Sequence, residues 1–217
     1  MAKVTALKVQ ARNKSRVNVY LDGEFAFGLV KIEAARLHIG QELSEADVER
    51  LKQTDASETA YEQALKFISY RPRSEAEVRQ NLKRKEWTDS EIEAVLTRLR
   101  NAGLLSDKDF AKYWVETRAA FRPKGKRALQ AELRAKGVAA SEVATALLQT
   151  NDADAARQLA DKRAKRLKDL PWPDFRRKLS EYLARRGIDY DTISEAVERA
   201  WRGLHGDGSN TFSESED

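Results

Sequence analysis

The chain has 217 residues, 41% hydrophobic and 35% charged, with 40 Lys+Arg against 35 Asp+Glu, a formal net charge of +5 and no cysteine. Such a composition excludes a disordered chain, a disulfide-stapled secreted module and any thiolate metal centre. No apolar run approaches the roughly 20 residues of a membrane helix, and Met1-Ala2-Lys3-Val4 opens no secretory signal, so a soluble, cytoplasmic, helix-rich protein is expected.

The front of the chain reads as strands. Leu7, Val9 and Ala11 alternate with other residues, as do Val17, Val19 and Leu21, then Phe25, Phe27 and Leu29. A period of two puts successive side chains on opposite faces of a strand. Asp22-Gly23 tolerates the positive φ of a tight hairpin, and Arg12-Asn13-Lys14-Ser15 supplies the other turn. A three-stranded antiparallel meander ending near Leu29 follows. It is marginal by itself, so its apolar face should dock on a helix around Ile32 to Leu37 or on later helices. Ser44-Glu45-Ala46-Asp47 then reads as a capping box opening a short helix to about Lys52.

Beyond this point a pattern recurs three times. Val78-Arg79-Gln80-Asn81-Leu82 matches Leu129-Gln130-Ala131-Glu132-Leu133 after 51 residues, and Leu179-Ser180-Glu181-Tyr182-Leu183 after 50 more. Pro72, Pro123 and Pro173 head the units, and Glu86, Gly137 and Gly187 occupy one shared position. Fixed-period self-similarity marks a repeat architecture. Each unit reads as three helices: 58–70, 74–85 and 88–101; 107–121, 125–136 and 140–149; 152–168, 173–186 and 189–202. Ser74-x-x-Glu77 and Thr88-x-x-Glu91 are capping boxes, Ser106 to Asp109 opens the second unit, and Gly103, Gly137, Gly187 and Gly203 read as stops. Val78 with Leu82, Ile92 with Val95, Leu96 and Leu99, and Ile193 with Ala196, Val197 and Ala200 form core stripes. Trp87, Trp114, Trp172 and Trp201 read as packing residues.

The expected fold is thus mostly α, with three tandem three-helix repeats in an elongated curved array behind a small three-stranded antiparallel β module. The expected boundaries are 1–55 for the β module and short helices, 56–105, 106–150 and 151–203 for the repeats, and 204–217 for a disordered acidic tail. Charge is unevenly spread. Residues 118–136 carry seven basic side chains against one acid, Glu132, and residues 157–186 carry eleven against four. Such clusters suit a polyanion or an acidic protein surface. The selected contact residues are Arg118, Arg122, Lys124, Lys126 and Arg127 around the Pro123–Gly125 joint, with Lys162, Arg163, Lys165 and Arg166 as a second patch.

Arg71-Pro72-Arg73-Ser74-Glu75-Ala76-Glu77-Val78-Arg79, Gly103-Leu104-Leu105-Ser106-Asp107 with Phe110-Ala111, and Lys124-Gly125-Lys126-Arg127 leading into Glu132 to Val138 together resemble the RecX family. The resemblance covers about residues 58–203, and the strands before it resemble the extension of longer members. Ser106, where the family often carries an acid, and Glu86, in place of a glycine, are minor departures. The resemblance implies a regulator without a catalytic centre, acting in DNA repair and the SOS response. It would bind the RecA filament on single-stranded DNA, limit its growth or promote its disassembly, and so lower ATP hydrolysis, strand exchange and co-protease activity. A direct DNA-binding helical module is the alternative, since Lys136-Gly137-Val138 superficially resembles a helix-turn-helix joint; yet all three units share that turn regardless of charge.

Chemistry finds no foothold in the sequence. His38 and His205 have no metal or triad context. Pro123-Lys124-Gly125-Lys126 lacks the first glycine of a phosphate loop. Asp152-Ala153-Asp154 lacks the glycine and closing glutamate of a calcium loop and reads as a helix start after Asn151. No cofactor is expected, and a monomer is.

Overall fold

In a computed structural model, which describes residues 1–206, Asp22 and Gly23 take φ of 50° and 91° and reverse the chain between β2 (Arg16–Leu21) and β3 (Glu24–Val30). Two successive positive φ values match the right-handed twist of the flanking strands. β1 (Ala2–Val9) pairs antiparallel with β2 from Val9 opposite Val17 to Val4 opposite Leu21, with one irregularity between Val4 and Ala6. There Thr5 Oγ1 accepts the Gly23 amide at 2.9 Å and donates to the Tyr20 carbonyl at 3.2 Å. A short β4 (Glu42–Leu43) joins the other edge of β1, so the sheet order is β3-β2-β1-β4, one strand more than the expected meander. The predicted helix around residues 32–37 is only the single turn α1 (Lys31–Ala34).

The sheet docks on α2 (Glu45–Ser69). Val17, Val19, Phe27, Leu29 and Ala34 are buried with Val48 and Leu51 packed against them. The polar tie is Asp55, whose carboxylate accepts the Val30 amide and Arg16 Nη2, each at 2.6 Å; Arg16 Nη1 also reaches Thr59 Oγ1 at 2.7 Å. The two helices expected at 44–52 and 58–70 are therefore one helix of 25 residues, and the boundary expected between 55 and 56 falls inside it. Thr54, Asp55 and Ser57 lie in the gap left between those two helices, and such residues favour caps and turns when they bond locally. Here Asp55 is satisfied by the sheet, so the helix runs through.

The rest of the first unit, which ends at Leu105, is α3 (Glu75–Lys83) and α4 (Asp89–Asn101). Ser44, Ser74 and Thr88 all close complete capping boxes with Asp47, Glu77 and Glu91. Ala60, Ala64, Val78, Leu82, Ile92, Val95, Leu96, Leu99 and Leu105 form its helical core.

The second unit begins at Ser106 and holds two trihelical repeats. The first is α5 (Asp107–Phe121), α6 (Lys126–Ala135) and α7 (Ala140–Leu147); the second is α8 (Asp152–Ala164), α9 (Trp172–Arg185) and α10 (Tyr190–His205). Phe110, Ala111, Leu129, Leu133, Val138, Val143 and Leu147 build one core, while Phe175, Leu179, Leu183, Ile193 and Val197 anchor the other. α8 stops at Ala164 rather than near Lys168, because the amides of Arg166 and Leu167 bond three residues back and tighten the chain, burying Leu167. Gly203 does not stop the last helix. α10 continues to His205, which stacks on Trp201 at 3.8 Å, and ends at Gly206 with φ 75°. Leu204 and His205 are thus helical rather than tail; the remainder of the expected tail, 207–217, lies outside the described residues.

Glycine has two separate jobs here. Glu86 takes φ 66° where Gly137 and Gly187 take 78° and 80°, a left-handed conformation that a side chain resists. Gly125 has an ordinary φ of −75° but no room: a Cβ would lie 2.3 Å from the Gly187 carbonyl oxygen. Gly125→Ala should therefore destabilise the second unit by about 2 kcal/mol through overpacking alone, read by urea denaturation. Glu86→Gly should instead leave the first unit unharmed or up to about 1 kcal/mol more stable, relief of strain outweighing glycine's entropy. Equal losses from both substitutions would contradict this division of roles.

Candidate functional site

The second unit concentrates the predicted contact residues, and its geometry sorts them into two kinds. α5 ends in Phe121, and Arg122, Pro123, Lys124 and Gly125 lead to α6. Lys126 and Arg127 fill the first turn of α6 and Arg122 caps α5; all three are exposed, and no ion pair engages them among the described residues. Arg118 and Lys124 differ. Arg118 Nε donates to Glu132 Oε2 at 2.8 Å, Lys124 Nζ bonds Oε1, and Trp114 Nε1 donates to Oε2 at 2.8 Å. The Arg118 guanidinium also lies 4.4 Å from the Trp114 ring centroid. Only 22% and 28% of these two side chains is exposed. Burial pushes the Glu132 carboxyl upward, but the hydrogen bonds from Lys124, Arg118 and Trp114 outweigh it and hold it below the usual carboxylate range. Glu132, the single acid of this stretch, thus gathers two of the predicted contact residues into a structural clamp.

The α6 amides find no capping side chain of their own. Lys126 N donates to Asp152 Oδ1 at 2.8 Å, and Gly125 N donates to the Arg186 carbonyl at 3.0 Å. Burial raises the Asp152 carboxyl, with the nearby Asp189 charge adding to the rise. Repeat two is thereby stitched to α8 and to the α9–α10 turn.

The second predicted patch sits at the far end of α8. Ten residues separate Asp152 from Lys162, or about 15 Å along a helix, so the structure does not merge the two patches directly. Lys162, Lys165 and Arg166 are exposed and free of ion pairs among the described residues, whereas Arg163 is half-buried, 5.5 Å from the Tyr182 ring centroid. Arg186, not among the selected residues, lies 5.2 Å from the same ring while its carbonyl holds Gly125. Arg186 and Tyr182 therefore form the physical link between the joint and the α8 patch. The repeat alignment carries a signal for Tyr182, which stands where Glu132 stands one repeat earlier.

The tryptophans serve packing. Trp172 and Trp201 lie 5.2 Å apart, Trp114 lies 5.7 Å from Phe110, and Trp87 Nε1 bonds Gln63 at 3.3 Å. Asn151 caps α8 by accepting the Ala153 amide at 3.0 Å, which makes Asp152-Ala153-Asp154 a helix start. His205 bonds the Lys168 carbonyl through Nε2 at 3.2 Å. Among the described residues no group of three or more His, Asp or Glu is placed to hold a metal ion, and no helix is long and apolar enough to cross a membrane. A groove of about 650 Å³ opens between α5, α7 and α8, with Val115, Leu129 and Leu148 on its walls.

Comparison with known proteins covers nearly the whole chain. Residues 2–44 match the model of the regulatory protein RecX N-terminal domain, and 60–99, 106–147 and 150–197 match the first, second and third RecX three-helix domains. The regulatory protein RecX of Bacillus subtilis is 32% identical over 207 residues, covering 92% of this chain and 77% of its own. That of Bacillus velezensis is 32% identical over 204 residues, 92% of this chain and 78% of its own. A crystal structure of regulatory protein RecX superimposes with a TM-score of 0.72 at 28% identity, covering 92% of this chain and 100% of that one. RecX from Lactobacillus salivarius gives 0.62 at 25% identity over 68% of this chain and 97% of its own.

The clamp carries a consequence for stability. Glu132→Gln keeps the shape but leaves two half-buried cations without a counter-charge, and should cost about 2 kcal/mol at neutral pH. Because the folded carboxyl titrates below its unfolded range, its contribution is present above that range and fades as pH falls through the folded value. Denaturation curves of wild type and variant should therefore converge in acid; a gap independent of pH would remove the charge from the explanation.

Proposed function

The chain belongs to the RecX family of regulatory proteins, and from that premise we propose that it is a negative modulator of RecA. In this reading it binds the RecA filament on single-stranded DNA and limits its growth or promotes its disassembly. ATP hydrolysis, strand exchange and co-protease activity fall as a result, without a reaction catalysed by the regulator itself. Its setting is recombinational DNA repair and the SOS response in the cytoplasm, and it acts as a monomer. Residues 1–105, 106–150 and 151–203 serve as working limits of its modules, the sheet and the first repeat sharing α2.

The observation that carries this reading is the succession of all four family domains along one chain. The surface adds support. Arg122, Lys126, Arg127, Lys162, Lys165 and Arg166 are exposed cations without ion pairs among the described residues, and unneutralised cations are available to an acidic partner. Arg118, Lys124 and Arg163 remain proposed contributors of a different kind, held in place by Glu132 or Tyr182. Direct DNA binding is the second reading, favoured by the same exposed cations.

A RecA ATPase time course on single-stranded DNA tests the first reading, with the wild-type chain and a variant in which those six exposed residues become glutamate. Wild type should suppress hydrolysis. The variant, folded by circular dichroism, should need at least about tenfold more protein for the same effect. Undiminished suppression by the variant would rule out the cations as contacts. A steep salt dependence of DNA affinity without RecA would move the weight to the second reading.

A further inference from the structure

The third repeat ends in a cluster of like charges. Arg199 Nη2 donates to Asp161 Oδ1 at 2.8 Å, and His205 Nε2 lies 3.2 Å from the Lys168 carbonyl oxygen. These two contacts run α10 alongside α8 in the same direction and place Arg202 level with Lys165. Lys162 and Lys165 stand three residues apart and share one face at the end of α8. Arg166 and Lys168 follow in the tightened turns beyond it. Lys162, Lys165, Arg166, Lys168 and Arg202 are all exposed, and none forms an ion pair among the described residues. Asp161 is spent on Arg199, which leaves Asp169 as the one acid between 161 and 170 without an ion pair. Like charges this close repel, and the described residues supply too little counter-charge.

The remaining counter-charge lies just downstream. The chain leaves this end of the repeat at Gly206, whose amide bonds the Arg202 carbonyl at 2.8 Å. Residues 207–217 then carry Asp207, Glu214, Glu216 and Asp217 with no Lys or Arg. Glu214 can reach up to about 27 Å from Gly206 and Asp217 up to about 36 Å, whereas Lys162 and Lys168 are only about 10 Å apart along the chain axis. We propose that residues 207–217 dock on the patch formed by Lys162, Lys165, Arg166, Lys168 and Arg202 of the same molecule, as a tethered counter-charge that an acidic partner must displace. Tethering gives the segment a high effective concentration, so exposed ion pairs that are individually weak suffice. The groove between α5, α7 and α8 is a poorer seat, because Asp109, Glu116, Glu142 and Asp154 line it. Lys126 and Arg127 lie near the opposite end of α8, where Asp152 holds the Lys126 amide, and closing a longer loop costs more entropy. The inference adds regulation to the proposed contact surface and rests on that reading only for the identity of the displacing partner.

Two measurements on the full chain test it, both at low ionic strength, where surface charges are least screened. The tail variant combines Asp207→Asn, Glu214→Gln, Glu216→Gln and Asp217→Asn. Amine-reactive labelling read by mass spectrometry should be at least about threefold faster at Lys162, Lys165 and Lys168 in the variant than in wild type, with Lys14 and Lys126 unchanged. The difference should vanish near 1 M salt, where the screening length falls to about 3 Å. Fluorescent polyglutamate should bind the tail variant at least about fivefold more tightly than wild type. Glu24→Gln, Glu49→Gln, Glu62→Gln and Glu86→Gln together change net charge equally and should leave that affinity within about twofold. In a background with all five patch cations changed to glutamine, neutralising the tail should also change it by less than about twofold. Equal labelling rates, protection at Lys126 instead of the α8 lysines, protection that grows with protein concentration, or an equal gain from the control variant would each overturn the proposal. RecA takes no part in either measurement. Unprotected lysines in a chain that suppresses RecA ATPase would sink this proposal alone, and protected lysines in a chain that leaves the ATPase untouched would sink the RecA reading alone.

Discussion

α6 begins with a glycine and so cannot cap itself. Every helix start exposes amides that need acceptors, and at α2, α3, α4, α5, α8 and α10 a local serine, threonine, asparagine or aspartate supplies one. At α6 the acceptors come from the next repeat, the Asp152 carboxylate and the Arg186 carbonyl. Gly125 permits this because nothing larger fits against the Gly187 backbone. Covering two amides thus fixes repeat two against repeat three and sets Lys126 and Arg127 beside Arg186. The placement of the basic residues follows from a backbone requirement, not from mutual attraction of charged side chains.

Once the joint is fixed, diversity enters through side chains on a shared frame. Asn81, Glu132 and Tyr182 occupy one place in three copies of a helix. In the first repeat, Arg73 stacks on Phe67 at 4.0 Å, and Arg73 Nε and Asn81 Oδ1 are each buried without a hydrogen-bond partner. Around Glu132 the cations are neutralised, and around Tyr182 they are only held. One repeat can neutralise its cations and the next hold them against a ring on the same helical frame.

Much of the architecture could be read from the sequence because its signals are local. α5 spans the residues its periodicity and Ser106 indicate, and the three capping boxes at Ser44, Ser74 and Thr88 are all formed. The alternating runs and Asp22-Gly23 are enough for the hairpin. What was missed depends on distant partners. The continuity of α2 hinges on Asp55 finding Val30 and Arg16, 25 and 39 positions away. His205 prolongs α10 by stacking on Trp201 and reaching the carbonyl of Lys168. Local charge counting could not separate Arg118 and Lys124 from Arg122, because what separates them is whether they reach Glu132. A solitary acid within a basic run was the available hint that some of those cations are internally spent.

The continuity of α2 also limits how this protein can be divided. Its 25 residues extend about 37 Å, the first half lying under the sheet through Val48 and Leu51 and the second lining the trihelical core through Ala60 and Ala64. Sheet and first repeat therefore share a spine. Deleting the leading strands would strip the cover from one end of that rod and strand Asp55 without its partners. The β module is better understood as the upstream wall of the first repeat than as a detachable appendage, and loosening either one loosens both.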